Sequence, residues 1–366
     1  AIEAGINYFE FRYREADFSS YPKGLMYSLD ILGDWLYEQG NPFAQVQQLE
    51  VFEKLKAAVN EGYFEELIRK YLLDNAHGSI LSLVPERGLA AKRDQELEKR
   101  LENYRSSLSD EELIRMVERT KALEAYQESE ENPEALTCIP MLSREDIKKE
   151  ITGFTNEEHF VDDSLFLYHD VCTNGIGYAD LLFEIHNFDT DTVHYLGLLK
   201  SVLGAVDTEN YSYGELFNEV NARTGGIAYG IEVYDSATDT DAFRAMFAVR
   251  GKALYPEMDF MFSMIREVLT TSRLDDTKRL YEIIARVKSR AQANLVSAGH
   301  STAVLRGASY ASPMAAFQDE MAGIGYYQFI EKLEKNFDSC KEEIVKNLRK
   351  VMEEVLRPEN FSVSYT

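Results

Sequence analysis

Histidine supplies the first test of what chemistry this chain can perform. The six are His77, His159, His169, His186, His194 and His300. A helix that holds a catalytic zinc presents two imidazoles one turn apart, so that both point from one face at one ion. Four places after each histidine stand Leu81, Asp163, Thr173, Thr190, Leu198 and Val304, so no second histidine is in register. Neither HxxEH nor HExxH occurs. A site assembled from residues distant in sequence stays open at this stage. The three cysteines, Cys138, Cys172 and Cys340, are far apart and form no CxxC. That argues against a disulfide framework and a zinc ribbon, and favours a reducing, cytoplasmic compartment.

Other catalytic signatures are missing too. There is no G-x-S-x-G elbow and no P-loop lysine. Gly175-Ile176-Gly177 falls in a turn, and Gly323-Ile324-Gly325 reads as a break between helices and not a phosphate cradle. Pairs such as Asp162-Asp163 and Asp239/Asp241 carry no catalytic weight in a chain with 63 acids. His300 starts a helix after Gly299, as a helix N-terminal residue or as a functional one. Arg306, six residues on, reads by default as the partner of an acidic neighbour.

The elements that position these residues are mostly helical at first. Pro22 opens a helix with one apolar stripe, Leu25, Leu29, Leu32 and Leu36. Two more helices follow, through Phe43–Phe52 and Phe64–Leu72. A strand is expected at Ser79–Val84, ended by Pro85. Residues 91–131 hold eight Lys/Arg and twelve Asp/Glu, with no Pro or Gly. Ser109 and Glu112 make a capping box, so the segment reads as a polar helical hairpin zipped by Leu97, Leu101, Leu108, Leu113, Ile114, Val117 and Leu123.

From about residue 141 an α+β pattern begins. Ser143/Asp146 suggests another helix start. Strands are expected at 165–168 and 176–185 about a Thr173-Asn174-Gly175 hairpin turn, near 227–234 and 242–252, and at 361–365. Helices are expected at 191–203, from a Ser212/Glu215 box to Gly225-Gly226, and near 256–271, 275–297, 301–321 and 325–356, the last broken near Asn336. The fold class is α+β, a mostly antiparallel sheet with helices on one face.

Charge excludes some partners. Lys+Arg 39 against Asp+Glu 63 gives −24, which repels phosphate backbones and anionic bilayers, so neither nucleic acid nor membrane is expected. The best apolar run, 194–206, is too short to span a bilayer and is interrupted by Lys200. The first residues lack the basic and apolar regions of a signal peptide. They open inside a helical pattern without Met, which suggests a piece of a longer protein.

Several blocks carry a resemblance. They are SSYPKGLMYSLDILGDWLYEQGNPF (19–43), GYFEELIRKYLLDNAHGS (62–79), ALEAYQ…PEALTCIPMLSREDIKKE (122–150), TNGIGYADLLFEI (173–185), TENYSYGELFNEVNARTGGI (208–227) and SAGHSTAVLRG…AGIGYYQFIEKLE (297–334). In this order they resemble the presequence-protease branch of the pitrilysin/insulinase zinc metallopeptidases. The resemblance implies four homologous α+β domains in two halves, joined by a helical hairpin and closing around a chamber where unfolded peptides are cut. It implies an inverted HxxEH zinc site in the first domain and an Arg/Tyr pair in the fourth. This chain matches the end of the second domain (1–88), the hairpin (89–135) and the third domain (136–366). The segment in the place of the zinc helix reads HYLGLLKSVLG, from His194 to Gly204, with one His and no Glu. No catalytic or metal-binding residue carries over, and zinc is expected only in the parent enzyme.

Two functional readings follow. The first is a non-catalytic fragment that forms chamber wall and hinge, with the missing catalytic and fourth domains as its partners and unfolded peptides as the parent's substrates. The second is a stand-alone peptide-binding or scaffold module. The acidic surface either attracts basic peptides or serves solubility. A peptide could add to an edge strand at Gly226 and Ile227, with His300 and Arg306 as further candidates for substrate contact. Exposed half-domain surface would favour a homodimer.

Overall fold

The computed structural model describes residues 2–37, 41–129, 134, 137–147, 149, 150, 153, 155–239 and 241–366. They form two compact units. One comprises residues 1–67 with 153–366, and the other residues 68–152.

The first unit is built on a sheet with strand order β1-β2-β6-β3-β5-β4. The strands are β1 (Glu157–Val161), β2 (Ser164–Tyr168), β3 (Ile176–Ile185), β4 (Gly226–Asp235), β5 (Phe243–Leu254) and β6 (Phe361–Tyr365). All neighbours are antiparallel except β2 and β6. The sheet is therefore mixed, within an α+β protein. β1 was not foreseen, and Asp162-Asp163 is its two-residue turn into β2, with Asp162 in the left-handed region (φ 53°). The Thr173–Gly175 turn forms but joins no hairpin. The terminal strand β6 lies between β2 and β3, and its partners in β2 are 197 residues away, a pairing that no local pattern reveals.

The helices of this unit are α1 (Ile2–Glu15), α2 (Lys23–Trp35), α3 (Leu49–Ala58) and α4 (Tyr63–Ile68), which passes into residues 69–73 of the second unit. After the second unit come α7 (Thr190–Val202), α8 (Tyr213–Arg223), α9 (Met258–Thr271), α10 (Thr277–Ser297), α11 (Gly299–Ala308), α12 (Pro313–Ala322), α13 (Ile324–Lys335) and α14 (Phe337–Val355). The single helix expected at 301–321 is two. Ser312 caps Ala315 N–H and Pro313 takes the first turn, where it needs no donor.

Alternate residues of the sheet enter the core. Ala179, Phe183 and Ile185 of β3 and Ala245, Phe247 and Val249 of β5 join one buried cluster with α7, α9, α10, α13 and α14. Residues of the other parity carry ions: Arg250 pairs with Asp180 and Glu232, and Arg244 with Glu184. Membership of the core cluster thus alternates with period 2, although Met246 and Ala248 of the other parity are buried as well. Helix α14 buries Ile344, Leu348, Val351 and Val355, one stripe at helical spacing. Helix α7 differs, burying Val193, Tyr195, Leu196, Gly197, Leu198, Leu199 and Val202, which is most of its circumference. In contrast, the α2 stripe forms but Leu25, Leu29 and Leu32 stay exposed.

The second unit contains α5 (Leu89–Ser107) and α6 (Asp110–Glu128). The Ser109/Glu112 capping box forms reciprocally. The expected zip does not run along the hairpin: Leu97, Leu101, Ile114, Val117 and Leu123 are exposed, and only Leu108 and Leu113 near the turn are half-buried. Helicity here comes from capping and propensity, because so few apolar residues give no continuous seam. The strand expected at 79–84 is also absent. Ile80, Leu81, Leu83 and Val84 carry no regular secondary structure and are largely exposed, since a strand needs a neighbour to bond to. Ser143/Asp146 caps a single 3-10 turn and not a full helix. Residues 130–133 and 135 of the expected hairpin segment lie outside the described residues.

Gly197 shows how tightly α7 is held. A Cβ there would lie 2.7 Å from the Tyr326 ring and 2.8 Å from the Met321 carbonyl oxygen. Alanine is the better helix former by about 1 kcal/mol. Overpacking against backbone costs about 1–3 kcal/mol and wins. Gly197→Ala is therefore expected to lower the urea midpoint, whereas the same change at Gly214 of α8, where a Cβ meets nothing, should not.

Candidate functional site

Helix α7 occupies the place where the resemblance puts a zinc-binding helix. Its His194 is already engaged: Nε2 lies 2.7 Å from Glu320 Oε2 on α12. The imidazole stacks on Phe329 of α13, with 4.4 Å between centroids and 15° between planes. These contacts tie three helices together and leave no second imidazole facing the first. Among the described residues, no group of three or more His, Cys, Asp or Glu could hold a metal ion. The donor set around His194 does not fit a catalytic zinc, which needs three protein ligands and an open position.

Gly226 and Ile227 begin β4, an edge strand of the sheet. Gly226 sits at φ 114°, where glycine is favoured, and its N–H donates to Thr224 Oγ1. Helix α8 ends at Thr224 and not in a glycine cap. Gly225 N–H donates instead to Lys252 O and enters the sheet. This corner is the seat of α1. Asn7 Nδ2 donates to the carbonyls of Asn221 and Thr224. The Phe11 ring lies so close over Gly225 that a Cβ there would approach it to 2.6 Å. Glu15 accepts from Lys252 Nζ at 2.7 and 2.9 Å and from the Tyr178 hydroxyl at 3.0 Å. Burial and the Glu15 carboxylate together push the Tyr178 phenol well above its usual value.

Glu10 anchors the other side of α1. Its carboxylate is buried and pairs with Arg14 and with Lys56 of α3, each at 2.7 Å. Burial by itself would raise this carboxyl. The hydrogen bonds and charges of Lys56 and Arg14 outweigh it and hold the group below the ordinary range.

His300 is exposed at the start of α11. Arg306 Nη1 donates to Asp319 Oδ2 at 2.6 Å. Asp319 is buried and also accepts from the Ile324 and Gly325 N–H groups at the start of α13. Arg306 therefore neutralises a capping carboxylate, as the default reading has it.

None of Gly226, Ile227, His300 and Arg306 lines the cavity that the sequence did not announce. This cavity, of about 600 Å³, is bounded by Lys200 and Ser201 of α7, Tyr229 of β4, Arg286 and Arg290 of α10, and Tyr326 of α13, among others. Three cations meet there, and no Asp or Glu contributes to the lining. The Lys200 ammonium is pushed below its ordinary value by burial. Burial also raises the Tyr229 and Tyr326 phenols. One sequence signal was available: Arg286 and Arg290 are like charges one turn apart, an arrangement that destabilises a helix unless something uses it.

Comparison with known proteins places this geometry in a class. The family of regions associated with M16 peptidases of subfamily C matches residues 83–333. The chain belongs to that family, and with it to the presequence-protease branch of the pitrilysin/insulinase peptidases. Over 365 residues it is 35% identical to Protein HypA of Clostridium perfringens, covering 100% of this chain and 37% of that protein. Presequence protease 1, chloroplastic/mitochondrial, of Arabidopsis thaliana is 27% identical over 370 residues, covering 100% of this chain and 34% of the relative. The mitochondrial presequence protease of Drosophila melanogaster is 26% identical over 278 residues, covering 76% and 26%. The chain thus spans about a third of the length of the curated relatives it matches.

The α1 seat makes an acid-side prediction. The Glu10 carboxyl is depressed in the folded state, so its stabilisation is fully present above the ordinary value of 4.5 and is lost as pH falls through the folded value. The hydrogen-exchange protection factors of the α1 amides should fall below about pH 4.5 before those of β3 and β5 do. In Glu10→Gln this acid-side loss of protection should be much smaller. Equal pH dependence in both proteins would show that Glu10 does not hold α1.

Proposed function

We propose that this chain is a non-catalytic segment of a zinc metalloendopeptidase that degrades unstructured peptides inside a closed chamber. In this reading residues 1–88 end a second peptidase-like domain, 89–135 form the connecting helical hairpin, and 136–366 form a third domain, a metalloprotease-type roll with its helices on one face of the sheet. The third domain is chamber wall and the hairpin is hinge. The catalytic zinc belongs to a part of the parent enzyme outside these residues, and the catalytic and fourth domains are the partners.

One observation carries the reading. The family match runs through the segment where a zinc helix would stand, and there the only histidine is bonded to Glu320 and stacked on Phe329. The exposed Leu25, Leu29 and Leu32 of α2 support the presence of further covering surface, from the same polypeptide or from a second copy. The charge of −24 supports basic peptides as substrates of the parent, and three cysteines far apart in sequence with no CxxC support a reducing, cytoplasmic setting.

The edge position of β4 favours a second reading, a peptide-binding or scaffold module that captures extended peptides by strand addition at Gly226, Ile227 and beyond. Two measurements separate the readings. Metal analysis of the chain with an unstructured fluorogenic peptide should find no stoichiometric zinc and no cleavage. Stoichiometric zinc with cleavage abolished by a chelator would overturn both. Saturable binding of that peptide, weakened by a proline at an outward-facing donor of β4, would select the module over the wall. Sedimentation of the chain should show self-association through the α2 stripe, relieved by Leu29→Glu.

A further inference from the structure

The cavity between α7, β4, α10 and α13 is unlike the rest of this acidic molecule. It gathers Lys200, Arg286 and Arg290 with no carboxylate in its wall. The acids on the neighbouring helices are already engaged. Glu334 pairs with Lys288, Asp319 with Arg306, Glu320 with His194, and Glu331 with Lys335 and the Tyr327 hydroxyl. Among the described residues Lys200, Arg286 and Arg290 make no ion pair or hydrogen bond. The Tyr326 hydroxyl is buried and makes no hydrogen bond either. Ser201 is close enough to influence its titration but is not at bonding geometry.

Three cations in one wall without a carboxylate leave a local positive potential that an anion completes. Long-range attraction does not supply that anion, because the whole chain carries −24. Screening confines that repulsion to about 8 Å at physiological ionic strength, so a local triplet still binds at contact. Three positive charges are best matched by a ligand with at least two negative ones. The two guanidinium groups, one turn apart, offer flat forks suited to phosphoryl oxygens, and the lysine adds a point charge. At about 600 Å³ the cavity is larger than one inorganic ion needs, and Tyr229 and Val287 give it an aromatic and apolar wall.

We propose that this cavity is a binding site for a small organic phosphate, with the phosphoryl group on Lys200, Arg286 and Arg290 and the organic part against Tyr229 and Val287. The site is independent of the peptidase reading and of the β4 edge.

Calorimetric titration of the chain with phenyl phosphate, inorganic phosphate and benzoate tests it. Phenyl phosphate should bind one-to-one and at least about tenfold more tightly than either of the others, since only it carries both the dianion and the ring. The Arg286→Gln/Arg290→Gln double variant should weaken it at least about tenfold. Both side chains are exposed on α10, so that variant should keep the unsubstituted chain's thermal midpoint. Lys200→Met should weaken binding similarly while holding or raising the midpoint, because a half-buried unpaired charge is removed. Lys288→Met, which breaks a pair outside the cavity wall, should leave affinity unchanged. Affinity should also fall on the alkaline side at a pH below that of an ordinary lysine, as Lys200 loses its proton early. The proposal is overturned if phenyl phosphate does not bind, if benzoate binds as well as it does, or if the arginine double variant retains full affinity.

Discussion

The near-complete burial of α7 is the constraint on which the rest of the first unit depends. Sheet residues Phe183 and Phe247 share a core with it on one side, and α12, α13 and α14 enclose it on the others. A helix enclosed this way must be apolar around most of its surface, and VHYLGLLKSVL is. Its polar residues lie where a partner or a cavity meets them: His194 against Glu320, and Lys200 on the cavity wall. A zinc-binding version of such a helix would need two imidazoles and a carboxylate on one open face. Here close packing has taken that face, as the approach of Tyr326 to Gly197 demonstrates.

Charge plays a second, local role. Buried or half-buried carboxylates hold the joints: Glu10 and Glu15 at the α1 seat, Asp319 at the α12–α13 break. Each is matched by a cation from a different element, which fixes geometry because an unmatched buried charge is expensive. The ladder Glu232–Arg250–Asp180 and the pair Glu184–Arg244 are more exposed and contribute little to stability. They keep the parity of the sheet unambiguous by making one face unsuited to a core.

The contrast between the two units has the same origin. In the first, the helices that cover the sheet lose their apolar stripes from solvent, whereas α2 keeps its stripe exposed. In the second, α5 and α6 form through capping and helix-favouring composition, yet most of their leucines remain exposed. Secondary structure here is local, whereas burial requires a partner. Residues 79–84 are the limiting case, with strand composition but no assigned strand.

The sequence by itself determined the elements whose signals are local. The capping boxes at Ser109 and Ser212, the break at Asn336, the β4–β5 pair and the absence of a two-histidine helix could all be read from neighbours three or four residues apart, as could the α+β class. Only the tertiary structure decided that β6 inserts between β2 and β3, that one expected helix is two, and that Arg306 serves Asp319. It alone brought Lys200 to Arg286 and Arg290. The reason is physical: caps and periodicity act within a turn, while strand order, ion pairing and cavities depend on which distant segments packing brings together.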